Sequence, residues 1–152
     1  PASAIRQTRD KAIIDDEKCI GCGECLVVCR FGAIKMKWDE DSRRLQEKMA
    51  EYALAVKNHF GEKISFINFM LQVTKDCDCM ARNQAGVVQD IGIAGSLDPV
   101  ALDRASIDLV NQAAGKDAFR QGYNLDWSIQ LAHGEKIGLG RQDYQLVEIT
   151  EG

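Results

Sequence analysis

Cysteines are the residues of this chain with the clearest capacity for chemistry. Four of the six fall within eleven positions, as Cys19, Cys22, Cys25 and Cys29. Six cysteines could pair into three disulfides, but gaps of three, three and four residues are typical of a metal or cluster site rather than of a disulfide framework. The run C-x₂-C-x₂-C-x₃-C is a spacing that holds cubane iron–sulfur clusters. We therefore predict that this segment binds iron.

Two glycines strengthen the prediction of a cluster. Gly21 and Gly23 lie between the first three cysteines, where the chain must turn tightly to reach three corners of one cubane. An apolar wall that excludes water is expected beside the cluster, formed by Ile20, Leu26 and Val27. Backbone N–H groups of the loop that have no other acceptor are expected to point at the cluster sulfurs. The segment resembles bacterial-type ferredoxins.

A structural zinc site is the alternative for the same cysteines, because Zn²⁺ also accepts four thiolates. Zinc knuckles normally bring two separate C-x₂-C pairs together from a distance, whereas these cysteines follow one another directly. The spacing favours iron.

The start of the chain matches the segment after the cysteine run at an offset of 29 residues, with Ala4-Ile5 over Ala33-Ile34. In ferredoxin-like sequences a proline usually follows the fourth cysteine. On this resemblance Pro1 is expected to follow a cysteine upstream of the given sequence. Arg30 stands where that pattern would place the proline.

In two-cluster ferredoxins the fourth cysteine of each run binds the other cluster. The resemblance therefore implies two 4Fe-4S clusters in the intact protein and one, an incomplete one or none in this chain alone. The fourth ligand to Cys19, Cys22 and Cys25 stays open between an upstream cysteine, Cys29 and a distant cysteine.

The remaining two cysteines form a second candidate site in the stretch Asp76-Cys77-Asp78-Cys79. The stretch follows a predicted buried strand, where α/β sheets commonly place ligand sites. Cys77 and Cys79 could bind one metal ion together, with the carboxylates as hard ligands, or one of them could complete the cubane. They could also be loop thiols without a ligand. Acidic neighbours raise a thiol pKa and argue against a nucleophile, so no catalytic residue is assigned.

The elements that must position the first site lie in residues 1–40. Two short β-prone stretches, residues 12–14 and 34–38, flank the cysteine run. We predict that residues 1–40 form a partial bacterial ferredoxin-like 4Fe-4S module, the second half of a two-cluster repeat.

Residues 41–152 are predicted to form a small α/β segment, part of a larger domain. An amphipathic helix begins at Asp41 or Ser42 and ends at Gly61. Its spacing predicts a core face composed of Leu45, Met49, Tyr52, Ala53, Val56 and Phe60. Residues 64–73 are apolar on both faces, which is typical of a central strand covered by helices on each side.

Further along, the pattern alternates between strand and helix, as in α/β folds. Residues 90–95 indicate a second buried strand. Asp98 and Pro99 then open a helix that ends at Gly115. A shorter helix is predicted over residues 127–133 after Asp126, and a strand over 144–149. The inner face of the long helix is expected to consist of Ala101, Ala105, Leu109 and Ala113.

Charge and hydropathy narrow the class of partner. The formal net charge is −4, and Lys and Arg are dispersed among acidic residues, which argues against a nucleic-acid partner. No apolar run approaches the roughly 20 residues that span a bilayer. Because cysteines spaced for a cluster must stay reduced, we expect a cytoplasmic protein.

The order of motifs along nearly the whole chain resembles domain-of-unknown-function family 362. The matching motifs are Cys19 to Cys29, Phe66-Ile67-Asn68-Phe69, Asp76-Cys77-Asp78-Cys79, Asp90-Ile91-Gly92-Ile93 and Asp98-Pro99-Val100-Ala101-Leu102-Asp103. The resemblance implies a longer protein with a further N-terminal region and a first cysteine run. It implies no settled activity.

Three functions follow from these motifs. The first is electron transfer between an unidentified redox partner and a site elsewhere in the protein. The second is an oxidoreductase with a substrate or metal site near Cys77 and Cys79 and the cluster as electron source. The third is a structural module that a cluster or zinc merely stabilises. The sequence does not decide whether the chain is an enzyme.

Overall fold

The computed structural model describes residues 2–35, 42–76, 83–123 and 125–149. The chain divides into two compact units, Pro1–Glu40 and Asp41–Gly152. The described residues contain five helices and two antiparallel sheets of two strands each. The chain is thus a mixture of helices and strands, but neither sheet has the parallel order of an α/β layer.

The first unit contains a short β-ribbon followed by one helical turn. Strand β1 (Ile5–Gln7) pairs antiparallel with β2 (Ala12–Ile14), with Ile5 opposite Ile14. The ribbon turn is closed at Thr8, whose N–H and hydroxyl both donate to the Lys11 carbonyl at 2.7 Å. Helix α1 spans Glu24–Val28.

Two β-prone stretches were predicted in this unit. The stretch over residues 12–14 is confirmed as β2. Of residues 34–38, Ile34 and Lys35 belong to no strand, and the remaining three lie outside the described residues.

Helix α2 (Ser42–Phe60) has the predicted bounds and stops at Gly61, which adopts a left-handed φ of +59°. Its predicted core face is mostly wrong. Ala50 is buried, and Ala53 and Leu54 pack against the same core, so the inner face is built mainly from small residues. The larger side chains of the predicted face are all about half exposed or more: Leu45, Met49, Tyr52, Val56 and Phe60. The small face is the one that packs closely against helix α5 (Ser128–Lys136).

Strands β3 (Phe66–Met70) and β4 (Gly92–Ser96) form the second sheet, with Phe66 opposite Ser96 and Met70 opposite Gly92. Both strands were predicted, but burial on both faces is wrong. Helix α3 (Pro99–Ala114) packs against both strands, whereas Ile67, Phe69 and Ile93 are 58–64% exposed. Successive side chains of a strand point to opposite faces, so one covering helix buries only one of them.

Local capping signals define helix α3. The Asp98 carboxylate oxygen Oδ1 accepts the N–H groups of Val100 at 2.9 Å and Ala101 at 3.0 Å, and Pro99 occupies the first turn. Gly115 ends the helix in the left-handed region, as predicted. Asp98 also accepts the Arg141 N–H at 2.8 Å through Oδ2, so it ties the segment after α5 to this helix.

The predicted inner face of α3 is correct at its start only. Ala101 and Ala105 are buried and Leu109 is half-buried, but Ala113 is exposed. The buried positions of α3 end at Val110, and in its last turn Asn111 and Ala114 are only half-buried.

The main core joins three helices and a loop. It consists of Ala50 from α2, Val100 from α3, Leu131 from α5 and Leu139 beyond α5. Helix α4 (Ala118–Tyr123) was not predicted. Helix α5 begins one residue later and ends three residues later than the predicted span.

Residues 144–149 form no strand, so that prediction is wrong. They lie beside β4 along a cavity without joining its hydrogen-bond ladder, and β4 pairs with β3 alone among the described strands.

Candidate metal centre

The four cysteines of the run all line one cavity of about 490 Å³ in the first unit. Cys19 and Cys22 are exposed, whereas Cys25 and Cys29 are half-buried, and all four are free thiols. The structure therefore brings these four predicted ligands together around a common space. Cys77 and Cys79, the second-tier ligands, lie outside the described residues.

The loop geometry explains how consecutive cysteines reach the same cavity. Gly21 has φ +68° and Gly23 φ +73°, in the region that side chains with a Cβ rarely adopt. These two glycines reverse the chain between Cys19, Cys22 and Cys25, as the sequence predicts. Gly23 also precedes the first residue of α1 and accepts the N–H group of Leu26 at 2.9 Å.

Helix α1 positions the last two cysteines. Cys25 lies in its first turn and Cys29 at its C-terminal cap. Residues four apart in a helix share one side, so this spacing turns both sulfurs towards the cavity. The helix therefore places the last two cysteines of the run on the same side.

Cys29 has the most distinctive electrostatic surroundings of the four. The backbone N–H groups of Ala33 and Phe31 lower the pKa of its thiol most, desolvation opposes them less strongly, and the N–H groups of Ile34 and Gly32 add smaller lowering effects. A thiolate, not a thiol, binds metal. The turn after Cys29 thus favours the ligand form of this side chain.

The sequence prediction placed such N–H donors in the glycine loop before α1. The clearest donors instead follow Cys29, in the turn that contains Gly32 at φ +58°. A glycine three residues after the last cysteine is the sequence signal that could have identified them.

The apolar wall of the cavity differs from the predicted one. Ile20 lines the cavity as expected, but Val27 is 87% exposed and Leu26 is not part of the lining. Ile5, Ile14, Val28 and Ile34 complete the wall. Ile5 and Ile34 are the equivalent positions of the 29-residue repeat, so both copies of the repeated pattern contribute to this one cavity.

The arrangement differs from that of a single-ion site. Among the residues that the structure describes, no three His, Cys, Asp or Glu side chains converge closely enough to hold one metal ion. A single zinc ion requires ligands about 2.3 Å from one point. A cubane binds each thiolate at a separate iron, so its ligands surround a space.

The second cysteine pair is approached by a hydrogen-bonded turn. The Thr74 hydroxyl donates to the Asp76 carbonyl at 2.9 Å, and the Asp76 N–H donates to Gln84 Oε1 at 3.2 Å. Thr74 also forms an antiparallel bridge with Gly86.

The chain belongs to the family described as domain of unknown function DUF362, whose model matches residues 18–108. The match begins one residue before Cys19 and includes the whole cysteine run, both strands of the second sheet and the larger part of α3.

The chain is also similar to a protein of Halobacterium salinarum that is named as a putative iron-sulfur subunit of dimethyl sulfoxide reductase. The two are 31% identical over 93 residues, which cover 60% of this chain and 34% of that protein. The matched part is thus about a third of the relative's length. No solved structure matches the chain. No helix in the described part of the chain is long and apolar enough to cross a membrane.

Proposed function

We propose that this chain binds a 4Fe-4S cluster and transfers single electrons to a partner protein. Cys19, Cys22 and Cys25 are three of its ligands, and Cys29 is the fourth. The observation that carries the proposal is that all four cysteines of the run line one cavity. Strands β1 and β2 and helix α1 frame the proposed cluster as a partial ferredoxin-like module.

The donor set fits such a group. Thiolates are the usual ligands of cubane clusters, and this cavity offers four of them beside a wall of isoleucines. When bound, the cluster accepts and releases one electron. The backbone N–H groups around Cys29 help to hold its thiolate, and the isoleucines limit access of water.

Two further observations support a redox role. The relative from Halobacterium salinarum is named as the iron–sulfur subunit of a reductase, and the family match contains all four cysteines. We therefore propose an electron-transfer component of a larger oxidoreductase. The structural-module alternative predicts a bound cluster or zinc that is not reversibly reduced.

The first experiment measures what the chain binds. After anaerobic purification, iron, acid-labile sulfide and zinc are determined per chain, and about four iron and four sulfide are expected. Cys22→Ser should lose most of the iron. Cys29→Ser should lose it as well, whereas Cys77→Ser and Cys79→Ser serve as matched controls that should keep it. Zinc without sulfide would overturn the cluster, and iron retained in Cys29→Ser would overturn the fourth ligand.

The second experiment tests electron transfer itself. Dithionite should bleach the visible absorption of the anaerobic protein and produce the paramagnetic signal of a reduced cluster, and air-free reoxidation should restore the original spectrum. A cluster that is present by iron analysis but cannot be reduced and reoxidised would leave only the structural role.

A further inference from the structure

The second unit contains a cavity of about 710 Å³ that the electron-transfer proposal does not use. It lies between α2, the segment after β3, α4 and the start of α5. Its volume falls in the range of about 300–1,000 Å³ that is typical of sites for small organic ligands. Every described lining residue belongs to Asp41–Gly152.

Apolar and aromatic side chains form most of the described lining. Phe119 and Trp127 present aromatic surface, and Met49 adds a polarisable sulfur that contacts rings favourably. Leu45 and Met49 are two of the exposed large apolar residues of α2, and a ligand in the cavity would contact both. This surface is suited to a planar apolar group.

The position of Trp127 is fixed by its neighbours. Its indole N–H donates to both carboxylate oxygens of Asp117, at 3.1 and 3.3 Å, and the guanidinium carbons of Arg104 and Arg120 lie 5.6 and 5.8 Å from its ring centroid. A ring held in this way offers a preformed contact, which lowers the entropic cost of binding.

The charged side chains among the described lining of the cavity are of one sign. Lys75 and Lys116 line it, and no aspartate or glutamate is present among its described lining residues. The surrounding unit carries sixteen acidic and twelve basic side chains, so the cavity is a basic site in an acidic unit. The Lys116 side chain forms no ion pair within the described part of the chain, which leaves its ammonium group available to an anion.

We propose that this cavity binds a small aromatic anion, with the ring against Phe119, Trp127 and Met49 and the anionic group at Lys116. The apolar lining supplies contact area, and the lysine supplies orientation and selects against cations. The proposal is independent of the cluster, because Cys19, Cys22, Cys25 and Cys29 line the separate cavity of the first unit.

A fluorescent aromatic sulfonate, anilinonaphthalene sulfonate, tests the proposal on the full chain because its emission rises in apolar surroundings. The uncharged phenylnaphthylamine serves as the matched probe without an anion. Lys116→Gln removes the charge from the cavity, and Lys136→Gln removes one from an exposed position on α5 outside the cavity. Gly122→Leu adds an apolar side chain to the lining of the cavity, and a Cβ added at Gly122 meets no heavy atom within 4 Å.

The wild-type chain should bind the sulfonate saturably, and Lys136→Gln should leave the affinity unchanged. Lys116→Gln should weaken sulfonate binding about threefold, the size expected of a solvent-accessible ion pair, and should not affect the uncharged probe. Gly122→Leu should weaken both probes by about tenfold or more, since it removes the space that they occupy. Far-ultraviolet circular dichroism verifies that each variant is folded.

Three results would overturn the proposal: unsaturable binding to the wild type, unchanged binding to folded Gly122→Leu, or equal effects of the two lysine substitutions. If Gly122→Leu does not fold, Met49→Trp replaces it. Met49 is half exposed on α2 and lines the same cavity, so an indole at this position would occupy part of the cavity. Unchanged probe binding to Met49→Trp would overturn the proposal equally.

Discussion

The two units of the chain bury apolar side chains to very different extents. Among the described residues, ten apolar side chains are buried, and nine of them belong to Asp41–Gly152. In the described part of Pro1–Glu40 only Ala4 is buried, while Phe31 is 94% exposed. One unit thus has a hydrophobic core, and the other has four thiols around a cavity.

This difference indicates two sources of stability. Units of about 40 residues rarely bury enough apolar surface to fold alone and usually depend on disulfides, metals or association. In the described part of the first unit, the four candidate ligands surround a cavity, and Ala4 is the only buried apolar side chain. We infer that the first unit is held together by what its cysteines bind, whereas the second unit folds on Val100, Leu131 and their neighbours.

We expect the two units to respond differently when iron is removed from the cysteines. Amide hydrogen exchange of the iron-loaded and chelator-treated chains should differ by more than about a hundredfold at β1, β2 and α1, because binding free energy is folding free energy in small metal-dependent modules. Exchange in α3 should stay the same. Equal protection of the first unit with and without iron would show that it has an independent source of stability.

A core substitution should destabilise the second unit and leave the first unit unchanged. Leu131 is 3% exposed, so Leu131→Ala should lower the free energy of unfolding of the second unit by about 2–5 kcal/mol, through lost burial and the cavity left behind. Leu146→Ala, at a residue that is 54% exposed, is the matched control and should have little effect. Urea unfolding measures both. Iron content should be unchanged in each, and a loss of iron in Leu131→Ala would contradict independent stability of the units.

The smallest expected effect is a pH dependence confined to the second unit. The Ser128 hydroxyl, followed by the Arg120 guanidinium, lowers the pKa of Asp126 below its ordinary value of 3.8. The contribution of Asp126 is therefore fully present above that ordinary value and is lost as pH falls through the lower folded-state pKa. The wild type should have a higher Tm than Asp126→Asn at neutral pH, and the difference should narrow in acid.

Ser128→Ala gives the control for this pH dependence, since it removes the donor with the largest effect on Asp126. Its own Tm should depend less on pH over the acidic range than that of the wild type. A difference between wild type and Asp126→Asn that is constant from neutral to acidic pH would contradict the assignment.

Elements with local signals were predictable from the sequence. Helix α3 has its predicted bounds because Asp98, Pro99 and Gly115 act on their own neighbouring backbone. The face of α2 was not predictable, because its stripe of large residues and its small-residue face have the same helical period, and only the packing against α5 decides between them. Residues 144–149 have strand-like side chains, but a strand also needs a paired edge.

Some features of the candidate site were predictable from the sequence, and others were not. The cysteine spacing could be read from the sequence, and the positive φ of Gly21 and Gly23 could be predicted from it, because each depends only on neighbouring residues. The wall formed by Ile5 and Ile34 was not, because it requires the β-ribbon and the turn after Cys29 to meet at one cavity. The sequence repeat marked these two isoleucines as equivalent without indicating that they face the same space.

Ile5 and Ile34 line the same cavity although 29 residues separate them along the chain. A group bound to Cys19, Cys22, Cys25 and Cys29 would cross-link residues 19–29, which lie between these two isoleucines. The entropy of closing a loop grows only with the logarithm of its length, so most of that cost falls on the initial closure. The ribbon of β1 and β2 would then form before or after ligation of the cysteines, depending on when iron binds.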